Sequence, residues 1–295
     1  MTARTEALRG HAAMLAFSAL IAGSFSFGGR IANLIDPVAL TTVRFVIATA
    51  IIAAVVAMRG GIRRADLAAP WRYVVIGGLM AIYFVLMFEG LKTASPVSTS
   101  AVFTLAPIFA AGFGWLLLRQ VTTARMALAL TIGGLGALWV IFRADISALL
   151  ALELGRGEGV FLIGVVAHAA YTPMVRRLNR GESPLVFTLG MLIAALVVLI
   201  AYGSDRVMAT DWAALPAVVW AVTLYLAVFA SATTFVLVQY ATLRLPSAKV
   251  MAYTYLTPSW VIGWELILGA KPPPTLILAG IALTLVALWL LLAED

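Results

Sequence analysis

Ala101-Val102-Phe103-Thr104-Leu105-Ala106-Pro107-Ile108-Phe109-Ala110-Ala111-Gly112 returns 151 residues later as Ala252-Tyr253-Thr254-Tyr255-Leu256-Thr257-Pro258-Ser259-Trp260-Val261-Ile262-Gly263. Alanine, leucine, proline and glycine recur in step: Ala101 with Ala252, Leu105 with Leu256, Pro107 with Pro258, Gly112 with Gly263. One residue out of register, Ala137-Leu138-Trp139 is answered by Ala287-Leu288-Trp289. Any one identity between apolar segments arises easily by chance. A register held from residue 90 to 139 is the signal of an internal repeat.

Outward from these copies, apolar runs fill the chain. About 20 apolar residues cross a hydrocarbon core of about 30 Å, and spans are predicted near 11–34, 38–58, 71–91, 97–118, 123–142, 158–176, 184–203, 216–240, 247–269 and 274–293. Asp36-Pro37, Gly60-Gly61, Ser95-Pro96, Ser183-Pro184, Leu245-Pro246 and Pro272-Pro273-Pro274 punctuate them. Arg4 and Arg9 precede a long apolar run without a convincing cleavage site, so it reads as a first span rather than a signal peptide. The fold class expected is an all-α polytopic membrane protein with ten transmembrane helices. Residues 1–142 form one five-helix repeat and 158–295 the other, joined by an outer-side linker at 143–157. Five is odd, so the second copy enters the membrane inverted, an architecture of secondary transporters.

Composition agrees. Of 295 residues, 63% are hydrophobic and 11% charged, with mean hydropathy +1.05; a soluble domain is about 45–50% apolar and about 25% charged. The net charge of +7 suggests nucleic acid only until the charges are located. With the N-terminus inside, 13 of the 20 Lys and Arg fall on inner loops, six on outer ones, and Arg44 within span two. That bias sets both termini in the cytoplasm and leaves no nucleic-acid reading. The longest loop, 143–157, leaves no room for an extramembrane catalytic domain; Ile146 to Leu154 is apolar enough for a short interfacial helix, but a plain linker between the halves is the preferred reading. Cysteine is absent, which removes disulfides, thiolate metal sites and a cysteine nucleophile.

Gly23-Ser24-Phe25-Ser26-Phe27-Gly28-Gly29-Arg30, then Pro37 and Arg44-Phe45-Val46-Ile47-Ala48, resembles the opening of an EamA-type half of the drug/metabolite transporter superfamily. Gly90-Leu91-Lys92, Ser95-Pro96, Ala101 and Leu105-Ala106-Pro107 resemble its third and fourth spans. The chain is most similar to the bacterial aromatic amino acid exporters within it. The resemblance implies ten helices, a central cavity lined by spans one, three, four, six, eight and nine, and bracing by spans five and ten. Ala22, Phe25, Gln120, Lys271 and Met191 depart from the family's usual residues.

A cavity at mid-membrane depth should gather polar or aromatic side chains on one helical face. Span nine offers Tyr253, Thr257, Trp260 and Trp264, with Trp264 suited to the interfacial belt. Span six offers His168, Tyr171 and Thr172, span three Tyr83 between Met80 and Met87, span four Ser100, Phe103 and Thr104, and span eight Ser231, Thr234 and Gln239. Against each stands the plainer reading of packing filler or a hydroxyl bonded to its own helix. The substrate-binding set expected is Tyr83, Ser100, Phe103, His168, Tyr171, Ser231, Tyr253, Thr257 and Trp260. Pro107 and Pro258 are expected as helix kinks that shape and hinge the site. Arg44, Glu89 and Glu265 are expected as structural charges, with Arg44 paired to one of the acids, snorkelling, or attracting a substrate carboxylate. Ala129, Gly133 and Ala137 recur every four residues and suit a brace or a dimer face. No metal site is expected, because His11 is the only other histidine, and Gly133-Gly134-Leu135-Gly136 lies within a span rather than in a phosphate loop. No cofactor and no catalytic residue is expected.

The functional expectation is a transporter in the bacterial inner membrane, monomer or homodimer. It would export small amphipathic metabolites, aromatic and other neutral amino acids first, by alternating access. Efflux of planar organic cations is the alternative. A membrane-embedded enzyme would need midplane carboxylates or a nucleophile with its base, and none is visible.

Overall fold

The structure, a computed structural model, describes residues 3–150 and 154–292. In lipid every backbone polar group needs a partner within the segment, which leaves helices as the economical solution for apolar runs of this length. Fourteen α-helical segments follow: α1 (Ala3–Ile31), α2 (Pro37–Met58), α3 (Trp71–Leu91), α4 (Pro96–Phe103), α5 (Ala106–Leu118), α6 (Ala124–Ile141), α7 (Ile146–Leu150), α8 (Arg156–Leu178), α9 (Pro184–Ala209), α10 (Ala217–Ala227), α11 (Thr234–Thr242), α12 (Ser247–Ala252), α13 (Thr257–Ile267) and α14 (Thr275–Leu292). Among the described residues, nine helical stretches are long and apolar enough to cross a membrane, α4 with α5 and α10 with α11 each counting as one. The chain is a multi-pass, all-helical membrane protein.

The punctuation read from the sequence becomes helix caps. Asp36 Oδ1 accepts from Val38 N at 2.7 Å, Ser95 Oγ from Ser98 N at 3.2 Å and Ser183 Oγ from Val186 N at 3.3 Å. Each is followed by a proline at the first helical position, where its missing N–H costs nothing. Gly60 and Gly61, at φ +103° and +77°, turn the chain where a side chain would be strained.

Two predicted spans are broken. Span four divides at Thr104 and Leu105, and α5 restarts with Pro107 in its first turn. The run 247–269 divides more deeply: α12 passes into a 3₁₀ turn, Tyr253–Leu256, before α13 restarts with Pro258. Span eight carries a widened π turn, Val228–Thr233, between α10 and α11. Gly203 lies at a kink in α9, which runs past the expected end at 203 to Ala209. The 143–157 segment holds the short helix α7, capped by Asp145, where a plain linker was read; residues 151–153 lie outside the described residues.

Helices pack in related pairs: α3 on α8 and α1 on α11, α5 on α8 and α1 on α13, α2 on α9, α5 on α12, and α6 on α14. The α6/α14 pair crosses at Gly136 and Gly280, each beneath the other's carbonyl, so a methyl group on either would collide with backbone. Ala129 and Ala137 are buried in this chain and Gly133 lies under the Tyr255 ring, so the small-residue stripe packs internally rather than presenting a dimer face.

Candidate functional site

Halfway along α8, His168 sits in a box of rings. Its centroid is 4.4 Å from Tyr83 of α3, 5.2 Å from Phe103 at the break after α4, 6.1 Å from Tyr171 and 6.4 Å from Phe17 of α1. Phe25 and Phe161 close the box, at 5.7 and 6.4 Å from Phe103. Every one of these rings is buried. The break after Phe103 matters here, because it ends α4 at the level of His168.

Apolar packing accounts for the rings but not for their polar tips. Tyr83 Oη, His168 Nδ1 and Gln239 Oε1 are buried without a hydrogen-bond partner, and the Gln239 amide lies against the Tyr171 hydroxyl. The Gln239 amide nitrogen also reaches Met191 Sδ, at 3.9 Å. A buried polar group left unpaired costs about 1–3 kcal/mol. These unpaired atoms lie in and beside one buried cluster of rings.

The expected binding residues thus separate into two groups. Tyr83, Phe103, His168 and Tyr171 come together. Ser100 donates to Val97 O at 2.8 Å within its own helix. Thr257 is buried at the start of α13 with an unpartnered hydroxyl. Tyr253, Trp260 and Trp264 do form one stripe, but it faces α1. Tyr253 Oη is 3.0 Å from His11 Nδ1, Trp260 Nε1 donates to Ser18 Oγ at 3.3 Å, and the Trp264 ring is 5.0 Å from Phe27. Trp260 is 42% exposed, so its ring does not line the closed chamber. Phe17, Phe25 and Phe161 belong to the chamber and carried no sequence signal that separates them from filler.

Ser231 has another task. It accepts from Arg44 Nε at 3.0 Å and Nη2 at 2.7 Å, while Ala230 O and Leu226 O receive Nη2 at 2.9 and 3.4 Å. Ser231 Oγ itself donates to Leu226 O at 2.9 Å, at the edge of the π turn. Pairing of Arg44 with Glu89 or Glu265 is corrected: Glu89 binds Lys92 at 2.7 Å and Glu265 binds Arg30 at 3.1 Å. Arg44 is fully buried, and its guanidinium lies 4.0 Å from the Phe84 centroid, so it does not snorkel. Nη1 has no partner. The Phe84 ring is 4.6 Å from Tyr83, which sets Arg44 one ring away from the chamber.

Both ends of the bundle are pinned. At the end holding the α3–α4 turn, taken as outer from the charge bias, Arg30 on α1 bridges to Glu265 on α13. At the opposite end Arg244, after α11, bridges to Glu6 on α1 at 2.7 Å. A cavity of about 400 Å³ opens beside Ser95, Arg143, Glu265 and Lys271, and one of about 370 Å³ beside Gln120, Arg176 and Pro246. They flank the two ends of the seam where α4/α5 meets α12/α13. No group of three or more potential metal ligands occurs among the described residues.

The sequence profile of the EamA-like transporter family matches residues 8–142 and again residues 155–293. The chain belongs to the EamA-like transporter family. It is therefore a membrane transporter of small molecules and not an enzyme. An uncharacterized transporter of Bacillus subtilis (strain 168), YyaM, is 24% identical over 220 residues, which is 74% of this chain and 72% of that one. A crystal structure at 19% identity shares the fold, with a TM-score of 0.74 over 99% of both chains. In this EamA-like transporter the buried ring cluster around His168 is the candidate solute site.

Proposed function

We propose that this EamA-like transporter exports aromatic and other neutral amino acids across the bacterial inner membrane by alternating access, with both termini in the cytoplasm. The observation that carries the reading is the ring-walled chamber with unpartnered hydroxyl, imidazole and amide groups. A flat amphipathic solute stacks on such rings and satisfies such tips.

Two inverted five-span halves supply the mechanism. The family profile matches once in each half. If spans one to five are exchanged with six to ten, the helix pairings map onto one another: α3 with α8 onto α11 with α1, and α5 with α8 onto α13 with α1. Counting α12, the 3₁₀ turn and α13 as a tenth crossing completes the symmetry. Pro107 and Pro258 then hinge matching breaks. With both ends pinned and the chamber between them, the present arrangement reads as occluded. A second reading, efflux of planar organic cations, draws on the same rings, because aromatic faces attract cations.

The test is counterflow of radiolabelled phenylalanine, tryptophan and threonine in proteoliposomes, with and without a pH gradient. Uptake competed by other neutral amino acids is expected, with an approximately tenfold or greater loss in Tyr83→Ala and a smaller one in Trp260→Ala. Uptake of organic cations without any amino acid counterflow would overturn the amino acid reading.

A further inference from the structure

We propose that Arg44 is the carboxylate receptor of the transport site, so that substrates carry an anionic group next to an aromatic or apolar body. The inference rests on the transport reading above and narrows its substrate class.

Arg44 is a cation within a membrane span, fully buried, with no carboxylate bonded to it. Intramembrane charges of this kind face the protein interior and mark solute pathways. Glu89, Glu265 and Glu158 are engaged elsewhere: Glu89 with Lys92, Glu265 with Arg30, and Glu158 with the Ser98 hydroxyl. Its own partners are all neutral, one hydroxyl and two carbonyls, and they hold only Nε and Nη2. The guanidinium is gripped along one edge while Nη1 stays open. Neutral acceptors orient the group and leave its charge uncompensated. An arginine serving architecture alone would be expected to close its last nitrogen on a carbonyl or an acid.

The grip itself is specialised. Arg44 is held at the π turn of span eight, where Ala230 O and, just before the turn, Leu226 O accept from Nη2; such turns recur at functional sites. The rings beside the guanidinium lead to the chamber: Phe84 at 4.0 Å, then Tyr83 at 4.6 Å from Phe84, then His168 at 4.4 Å from Tyr83. An aromatic amino acid with its ring among Tyr83, Phe103 and His168 points its carboxylate toward Arg44 by a shift of Phe84. Its ammonium meets ring faces, the tyrosine hydroxyls and Gln239 Oε1. A bidentate pairing of guanidinium with carboxylate supplies both strength and orientation.

The experiment measures ligand-induced thermal stabilisation of the purified protein by phenylalanine, 3-phenylpropionate, phenylalaninamide and phenethylamine. Wild type, Arg44→Gln, Arg44→Lys and Ser231→Ala are compared. In wild type the two carboxylates are expected to bind about tenfold or more tightly than the two amines. Arg44→Gln should erase that preference and Arg44→Lys retain part of it. Ser231→Ala, which keeps the charge but loosens its aim, should weaken phenylalanine several-fold and leave the amide unchanged. Should Arg44→Gln fail to fold, the Ser231→Ala result decides, and an unchanged preference there assigns Arg44 to architecture and overturns the proposal. A folded Arg44→Gln protein that keeps the carboxylate preference overturns it as well. Binding of 3-phenylpropionate without phenylalanine supports the carboxylate receptor while defeating the amino acid reading. Binding of phenethylamine alone, or of none of the four, overturns the receptor too.

Discussion

Buried arginines differ in how they are answered, and Arg72 is the counter-example to Arg44. Arg72 Nη2 meets Glu182 at 2.7 Å, its Nη1 donates to Leu178 O at 2.5 Å, and both side chains of the ion pair are about as buried as Arg44. Glu182 also accepts from the Arg180 N–H at 2.6 Å. Burial pushes the Glu182 carboxyl up, but the Arg72 and backbone hydrogen bonds outweigh it and hold the group below the ordinary carboxylate value. A carboxylate depressed on folding gives stability that is complete above its unfolded pKa of about 4.3 and drains as pH falls through the lower folded value. Glu182→Gln is therefore expected to lower the melting temperature at pH 7, by a loss of about 3–5 kcal/mol, and to flatten the acid limb of a melting-temperature profile between pH 7 and pH 3. Tyr83 predicts the opposite sign. Its hydroxyl is buried and unpaired, so Tyr83→Phe should raise stability by about 1 kcal/mol while weakening counterflow. If both fall together, the hydroxyl belongs to the fold and not to the solute. The expected residues that come together lie on α3 (Tyr83), on α8 (His168 and Tyr171) and at the last residue of α4 (Phe103). Phe17 and Phe25 were not legible in the sequence, since an apolar ring facing a ligand has the composition of one facing another helix.

At the scale of elements, periodicity assigns a face but not a partner. Tyr253, Trp260 and Trp264 keep one stripe across the 3₁₀ turn Tyr253–Leu256, but spacing alone does not say which neighbour the stripe meets, and it meets α1. Ser231 looked like a lining residue because the π turn that commits it to Arg44 has no sequence signature. Pro107 and Pro258, by contrast, marked true interruptions. Replacing either with alanine restores a backbone donor and favours a continuous helix. Pro107→Ala and Pro258→Ala are each expected to slow counterflow about tenfold with little loss of stability. Equal rates in both variants would reduce the breaks to packing detail. Gly136→Leu should act differently, lowering the melting temperature through the α6/α14 crossing before it touches solute affinity.

The whole molecule is legible as a membrane bundle because lipid leaves the backbone few choices, and apolar length alone locates most crossings. Its state is not legible, since ion pairs such as Arg30 with Glu265 and Arg244 with Glu6 join residues far apart in sequence. If those pairs are gates, locking either should stop transport. The chain has no cysteine, so Arg30→Cys with Glu265→Cys, and Glu6→Cys with Arg244→Cys, can be bridged by a short bis-thiosulfonate reagent, which spans the gap that a direct disulfide cannot, without background. Each cross-link is expected to abolish counterflow and reduction to restore it; continued transport through a complete cross-link would place the gate elsewhere. The widened turn at Val228–Thr233 opens a different route into the molecule. A π turn holds one residue more than the α turn it replaces, so the segments flanking it keep the faces of an uninterrupted helix one residue shorter. Deleting Ala232 would let span eight heal, leave Gln239 aimed as it is, and take away the carbonyls that grip Arg44. If Arg44 receives a carboxylate, that one-residue deletion is expected to remove the carboxylate preference while the protein still folds.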